Sequence, residues 1–324
     1  MVGQQPVLFT EPATDLVLGR WYPDLVALEV SDVADVERAL GDHGYLADEG
    51  LAVAVFLALR LQRPLLLEGD AGVGKTEVAK TLARWTGRDL IRVQCAEGLD
   101  AAQTVYEWDH ARQLLHLRAA EAAGEASGKG TEALEDELYD ERFLVRRPLL
   151  QAIAPTHGAG PSVLLIDELD RADDEFEAFL LELLAEWSIT VPELGTFRAG
   201  EPPIVVITSN RTRELHDALK RRCIYHWVGY PSPEREVEIV LVRAPGASEA
   251  LTRKVVAAVH RLRRLELAKP PGVAETIDWV RTLEVIGAGD LDAATVDDTL
   301  GAVVKERDDL ELVRANLDGI AAGG

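Results

Sequence analysis

Residues 69–76 read Gly-Asp-Ala-Gly-Val-Gly-Lys-Thr and satisfy the spacing G-x-x-x-x-G-K-[ST] in full. Gly69, Gly72 and Gly74 let successive backbone N–H groups turn inward at a helix N-terminus, where they cradle the β-phosphate of a nucleotide. Lys75 adds a point charge between β- and γ-phosphates, and Thr76 offers a hydroxyl to Mg²⁺. Asp70, Ala71 and Val73 complete the loop, and Glu77 opens the helical run that follows. A glycine-rich helix cap with an incidental lysine would carry the same letters. The flanks argue against it: Pro64-Leu65-Leu66-Leu67-Glu68 has the look of a buried strand, and Glu77 to Arg84 repeats at helical period. Strand, loop and helix together predict a nucleoside triphosphate site with contacts from Gly69 to Glu77.

Val163-Leu164-Leu165-Ile166-Asp167-Glu168 is an apolar run ending in two carboxylates, the pattern of a central parallel strand whose tip reaches a site. Asp167 is placed to join Thr76 in the Mg²⁺ shell. Glu168 is placed to polarise a water for in-line attack on the γ-phosphate, as general base. The pair points to ATP hydrolysis, and the chain holds no Asn-Lys-x-Asp guanine reader. A further apolar run, Ile204 to Ser209, ends at Asn210. Its amide orients the attacking water or touches the γ-phosphate, or else only starts the next turn. A short helix from Glu214 to Arg222 closes with Lys220-Arg221-Arg222. Cations there cap a helix C-terminus, or one of them is an arginine finger delivered in trans to a neighbour's γ-phosphate.

Those residues need a frame. Apolar runs at 64–68, 90–93, 163–168, 204–210 and 224–228 predict five buried strands, with a buried helix over Leu51 to Leu61. Residues 101–122 read as helix, and Gly124 to Glu141 as an exposed acidic insert. Glu175 to Leu184 repeats at helical spacing, and Trp187 to Arg198 alternates like a hairpin that either packs on the sheet or meets a client. Pro231-Ser232-Pro233 marks a boundary. Beyond it, helical patterns run over Val237 to Val242, Leu251 to Leu265, Val273 to Val285 and Ala294 to Leu317.

Composition bounds the function further. The chain has 324 residues, a formal net charge of −22 and a pI near 4.7, with 47% hydrophobic residues. Such a chain repels phosphate backbones and anionic lipid, so no nucleic acid and no stable membrane insertion are expected. The N-terminus shows no secretory leader, which predicts a cytoplasmic protein. The two cysteines, Cys95 and Cys223, have no metal-binding spacing and read as buried thiols.

Taken in order, the glycine loop, Asp-Glu strand, Asn-ending strand and Arg-ending helix resemble the AAA+ ATPases over about residues 45–310. Within them the chain is similar to the MoxR group. More narrowly it resembles the ATPases that mature molybdenum-containing carbon monoxide dehydrogenase, on four stretches: Arg92 to Asp100, Val105 to Trp108, Phe143 to Leu150 and Thr208 to Cys223. The resemblance implies an α/β core with a parallel five-stranded sheet flanked by helices, and a C-terminal all-helical lid. Residues 1–44 would be a lead-in, 45–230 the core and 231–324 the lid. It further implies ATP and Mg²⁺ as ligands, Asp167 at the metal, Glu168 as base, Asn210 as sensor 1 and Arg222 as finger, with Arg221 the alternative. It implies a hexameric ring, a von Willebrand factor A-domain adaptor and a client metalloenzyme as partners. The resemblance also implies that the insert within 124–141 is a client contact. One departure stands out: Glu275 occupies the position where relatives carry a lid arginine.

Overall fold

The computed structural model describes residues 30–122, 137–156 and 160–321. Of the expected lead-in over 1–44, residues 1–29 lie outside the described residues, as do the acidic stretch over 124–136 and the tail from 322. Within that lead-in, Val33–Asp42 is a helix whose Val36 and Leu40 pack into the core with Leu51 and Val55. In chain order the strands are β1 Leu65–Glu68, β2 Leu90–Gln94, β3 Tyr106–Trp108, β4 Leu144–Arg146, β5 Val163–Asp167, β6 Ser188–Val191, β7 Gly195–Arg198, β8 Ile204–Ser209 and β9 Ile224–Trp227.

Five of them make one sheet in the order β2-β5-β8-β1-β9, parallel at every pairing. The apolar runs explain this, because a parallel sheet is covered on both faces and its central strands are hydrophobic throughout. Alternation then sorts the side chains. Leu66, Leu164, Ile166, Val205 and Ile207 pack with Leu149, Leu150, Phe176 and Leu180 on one face. Leu65, Leu67, Val163, Leu165 and Val206 pack on the other with Leu51, Val55, Val78 and Leu82. The predicted core helix spans Glu49–Leu61, and Asp48 starts it by accepting from the Leu51 N–H at 2.7 Å. Register pairs Gln94 with Asp167 and Glu68 with Ser209, so the C-terminal tips of β2, β5, β8 and β1 share one edge. Ligands bind at that edge in open α/β sheets.

Two sequence expectations need correction. The helix expected over 101–122 is two, Ala101–Val105 and His110–Ala122, separated by β3. Tyr106-Glu107-Trp108 pairs antiparallel with Leu144-Val145-Arg146. Trp108 also meets Tyr139 edge-to-face at 5.3 Å, so aromatic strand preference plus a distant partner overrides helix propensity. The last lid pattern, 294–317, divides into Ala293–Thr299, a 3₁₀ turn at Leu300–Ala302 and Arg307–Arg314. Gly301 weakens the helix where Val303 and Val304 must turn into the lid core. The restart places buried Asp309 to accept from the Ala268 and Lys269 N–H groups at 2.8 and 3.0 Å. The hairpin forms as β6–β7, with Ile189 and Val191 buried against the sheet core.

From Pro233 the described chain is helical: Pro233–Arg243, Glu249–Leu262 and Val273–Ile286 enclose Trp279, Val255 and Val259. Cys95 and Cys223 are both buried and free. Burial pushes each thiol up to about 12, helped at Cys95 by Asp167 and Asp170 and opposed at Cys223 by Arg63. Because the thiolate is the reactive form, iodoacetamide at pH 8 should leave both unlabelled in native protein and label both once it is denatured. Native labelling at the rate of a free thiol would contradict this burial.

Candidate nucleotide site

The loop leaves β1 through positions that only glycine can occupy. A Cβ on Gly69 would lie 2.1 Å from the Val228 carbonyl oxygen, and Gly72 and Gly74 have φ of +77° and +98°. Gly74 is the N-cap of the helix Lys75–Thr86, with no side-chain cap, so the first N–H groups stay directed at the loop. Lys75, 6% exposed, curls back and donates from Nζ to the Gly69 and Asp70 carbonyls at 2.7 and 2.6 Å. Burial lowers its ammonium pKa, while Asp170, Asp70, Asp167 and Glu168 pull it back up.

Thr76 and Asp167 come together across the sheet edge. Thr76 Oγ1 donates to Asp167 Oδ1 at 2.9 Å, and Thr208 Oγ1 donates to the same oxygen at 2.6 Å. Thr208 Oγ1 in turn accepts from the Glu168 N–H at 2.9 Å. Glu168 needs that support, because its φ of +56° lies in the left-handed region, which costs a side-chain-bearing residue about 1–2 kcal/mol. A hydroxyl and a carboxylate at this spacing are hard oxygen donors suited to Mg²⁺, which keeps much of its water shell. Further contacts come from β2, where Arg92 and Gln94 project to one side. Arg92 Nη2 donates to Asp167 Oδ2 at 2.5 Å, and Gln94 Nε2 donates to Glu168 Oε2 at 3.1 Å. Arg171 adds an ion pair to Glu168 at 3.3 Å.

Asn210 follows β8 on the cleft wall. Its position is set by Asp170, 2% exposed, which accepts from the Asn210 and Thr212 N–H groups at 3.1 and 2.8 Å and from Thr212 Oγ1 at 2.7 Å. Burial alone would raise the Asp170 carboxyl, but those bonds outweigh it and hold it below the usual carboxylate range. Thr208 and Asp170 are therefore the positioning residues that motif reading passes over.

The cleft beneath the lid holds about 340 Å³. Lys75, Thr76, Asp167, Glu168, Thr208 and Asn210 line its polar end, while Tyr45, Leu46, Ile239, Val242, Val273 and Ile277 line its apolar end. A flat base against the apolar end and phosphates against the polar end match that division. Glu77 faces the cleft too, paired with Arg84 at 2.9 Å and with Arg243 of the first lid helix at 3.1 Å. Burial works against its ionised form, and these cations outweigh it to lower its pKa.

Arg221 and Arg222 do not belong to this cleft. They end the helix Asp217–Arg222 beside Arg63, whose guanidinium donates to both of their carbonyls, at 2.9 Å for Arg222. Register places this corner at the start of β9 and β1, the sheet edge opposite the loop. Arg222 Nη1 donates to the Leu181 carbonyl of its own chain. The exposed Arg221 side chain makes no hydrogen bond or ion pair among the described residues. Glu275 stays at home as well, accepting from the Gly272 N–H at 2.9 Å, and Arg281 donates to the Arg243 carbonyl at 2.8 Å instead of entering the cleft.

Among the described residues no group of three or more His, Cys, Asp or Glu is placed to hold a metal, and no helix is long and apolar enough to cross a membrane. Residues 64–223 match the model of the AAA domain, dynein-related subfamily. Chaperone MoxR1 of Mycobacterium tuberculosis is 25% identical over 249 residues, covering 74% of this chain and 55% of that protein. This chain thus spans about half the length of that relative. The denitrification regulatory protein NirQ of Pseudomonas aeruginosa is 26% identical over 235 residues, covering 70% of this chain and 77% of its own. Protein NorQ of Paracoccus denitrificans is 26% identical over 233 residues, 69% of this chain and 74% of its own. A solved structure of Thermotoga maritima RuvB covers 90% of this chain and 77% of its own at 15% identity, with a TM-score of 0.45. With the glycine loop, the Asp-Glu strand tip and the parallel sheet in place, residues 64–223 match an AAA domain and the chain is similar to ATPases of MoxR type.

Proposed function

We propose that this chain hydrolyses ATP to ADP and phosphate and uses the cycle to remodel or mature a client metalloenzyme. A molybdenum-containing carbon monoxide dehydrogenase is the client proposed first. The observation that carries the ATPase reading is the meeting of Thr76, Asp167 and Glu168 at the mouth of the glycine loop, tied together through Thr208. Mg²⁺ held by Thr76 and Asp167 would neutralise charge across the β- and γ-phosphates. In this reading Lys75 binds the phosphates, Glu168 takes the proton of the attacking water, and Asn210 orients that water. Residues 45–230 act as the ATPase unit and 231–324 as its lid, in a cytoplasmic hexameric ring completed by a finger arginine from the neighbour. A von Willebrand factor A-domain protein serves as adaptor.

The maturation role draws on similarity to proteins described as a chaperone and as a denitrification regulatory protein. A nucleotide-switched assembly factor with slow turnover is the second reading. The pairs Arg92–Asp167 and Arg171–Glu168 favour it, since both carboxylates are held by cations of their own chain. Turnover with and without client and adaptor separates the two, because a remodeller is stimulated several-fold and a switch is not. Deleting the gene should leave dehydrogenase subunits assembled but poorly active. Fully active, fully metallated enzyme in the deletion strain would end the maturation role and leave the ATPase assignment intact.

A further inference from the structure

The third lid helix, Val273–Ile286, bonds to the phosphate loop through its backbone. The Gly72 carbonyl accepts from the Val273 N–H at 2.9 Å and from the Ala274 N–H at 3.4 Å. The approach tolerates no side chain on either partner. A Cβ on Gly272 would stand 2.6 Å from Gly72 Cα and 2.8 Å from its carbonyl carbon and oxygen. A Cβ on Gly72 would stand 2.9 Å from Gly272 Cα and 2.9 Å from Glu275 Oε2. These neighbours are mostly backbone, which cannot rotate aside. Glu275, in the position of the missing lid arginine, closes the arrangement by holding the Gly272 N–H at 2.9 Å.

Behind the contact lies a buried polar knot. Arg263 donates from Nε to the Pro271 carbonyl at 2.7 Å, one residue before Gly272. The same guanidinium donates to both oxygens of fully buried Glu236 at 2.7 and 2.8 Å and lies 4.3 Å from the ring centroid of Tyr230. Thr276 Oγ1 donates to Glu236 Oε1 at 2.6 Å, and His260 meets Oε2 at 2.9 Å. One connected set of bonds thus runs from the phosphate loop through Gly272 to the first lid helix and to the Tyr230 segment that leads into the lid.

We propose that Gly72 and Gly272 form a backbone latch through which the lid senses the phosphate loop, in place of a lid arginine side chain. This rests on the loop being a nucleotide site. Phosphate entering the loop fixes the Gly72 carbonyl, the carbonyl fixes the Val273 and Ala274 N–H groups, and the Arg263–Glu236 knot moves the lid as one body. The apolar wall of the cleft, Val273 and Ile277, stands on that same helix.

The test is Gly272→Ala in the full chain. Fluorescent MgADP titration should give an affinity roughly tenfold weaker than the parent's, within the usual range for coupling between two sites. Amide hydrogen exchange at Val273 and Ala274 should rise in Gly272→Ala with or without nucleotide, while far-UV circular dichroism stays that of the parent. If that variant fails to fold, Glu275→Ala, which removes only the carboxylate on the Gly272 N–H, should show a smaller loss of protection at the same amides. Parental affinity and parental protection in a folded Gly272→Ala would overturn the latch. A parent that binds no nucleotide, beside a Gly272→Ala that still loses protection at Val273, would uphold the contact and overturn the nucleotide reading instead.

Discussion

Glu168→Gln is expected to bind ATP as the parent does and to turn it over at least ~100-fold more slowly, the scale of losing a general base. The amide has the shape of the carboxylate and keeps an oxygen for Gln94 Nε2 and Arg171. The backbone bond from Glu168 N–H to Thr208 is untouched, so the left-handed turn at this residue persists. What disappears is the capacity to take a proton from water. Lys75→Ala should fail earlier, at binding, because it removes both the charge for the phosphates and the two bonds that fold Nζ over the loop. Calorimetric titration with ATP and a phosphate-release assay distinguish the two defects. Equal turnover by Glu168→Gln and parent would remove Glu168 from the chemistry.

The two variants differ because one residue acts through its charge and the other through its proton affinity, and that distinction was legible before any fold was known. A glycine loop needs its own backbone geometry, so its spacing is written contiguously in the chain. Strands buried on both faces are apolar throughout, and β1, β5 and β8 were readable for that reason. β3 was not, because Tyr106-Glu107-Trp108 becomes a strand only beside Leu144–Arg146, far along the chain. Thr208 shows the same limit inside the site. A threonine in an apolar strand reads as an ordinary strand former. Only the register of β8 beside β5 reveals that its hydroxyl reaches Asp167 and the Glu168 N–H. Gly272 carries no signal at all until the fold lays it on Gly72.

The arginine at the end of the helix Asp217–Arg222 is where sequence and geometry part most usefully. Position before the next strand favours Arg222 as the finger, but its guanidinium is committed to the Leu181 carbonyl of its own chain. Arg221 is exposed and makes no hydrogen bond or ion pair from its side chain among the described residues, on the sheet edge opposite the loop. A cation there cannot serve its own cleft, yet it is free to serve a neighbour's. Arg221→Ala is therefore expected to keep ATP affinity and lose about 10³-fold or more in turnover, the scale of an arginine finger. Arg222→Ala should instead lower thermal stability and change turnover less, since it removes a tie between two helices. Mixing Arg221→Ala with Lys75→Ala subunits should recover activity that neither has alone. In such a ring an intact loop on one subunit can face an intact arginine on the next. A strictly monomeric protein with full ATPase activity would exclude any finger in trans. Full activity in Arg221→Ala beside an inactive, stably folded Arg222→Ala would return the role to Arg222, released from Leu181 when subunits meet.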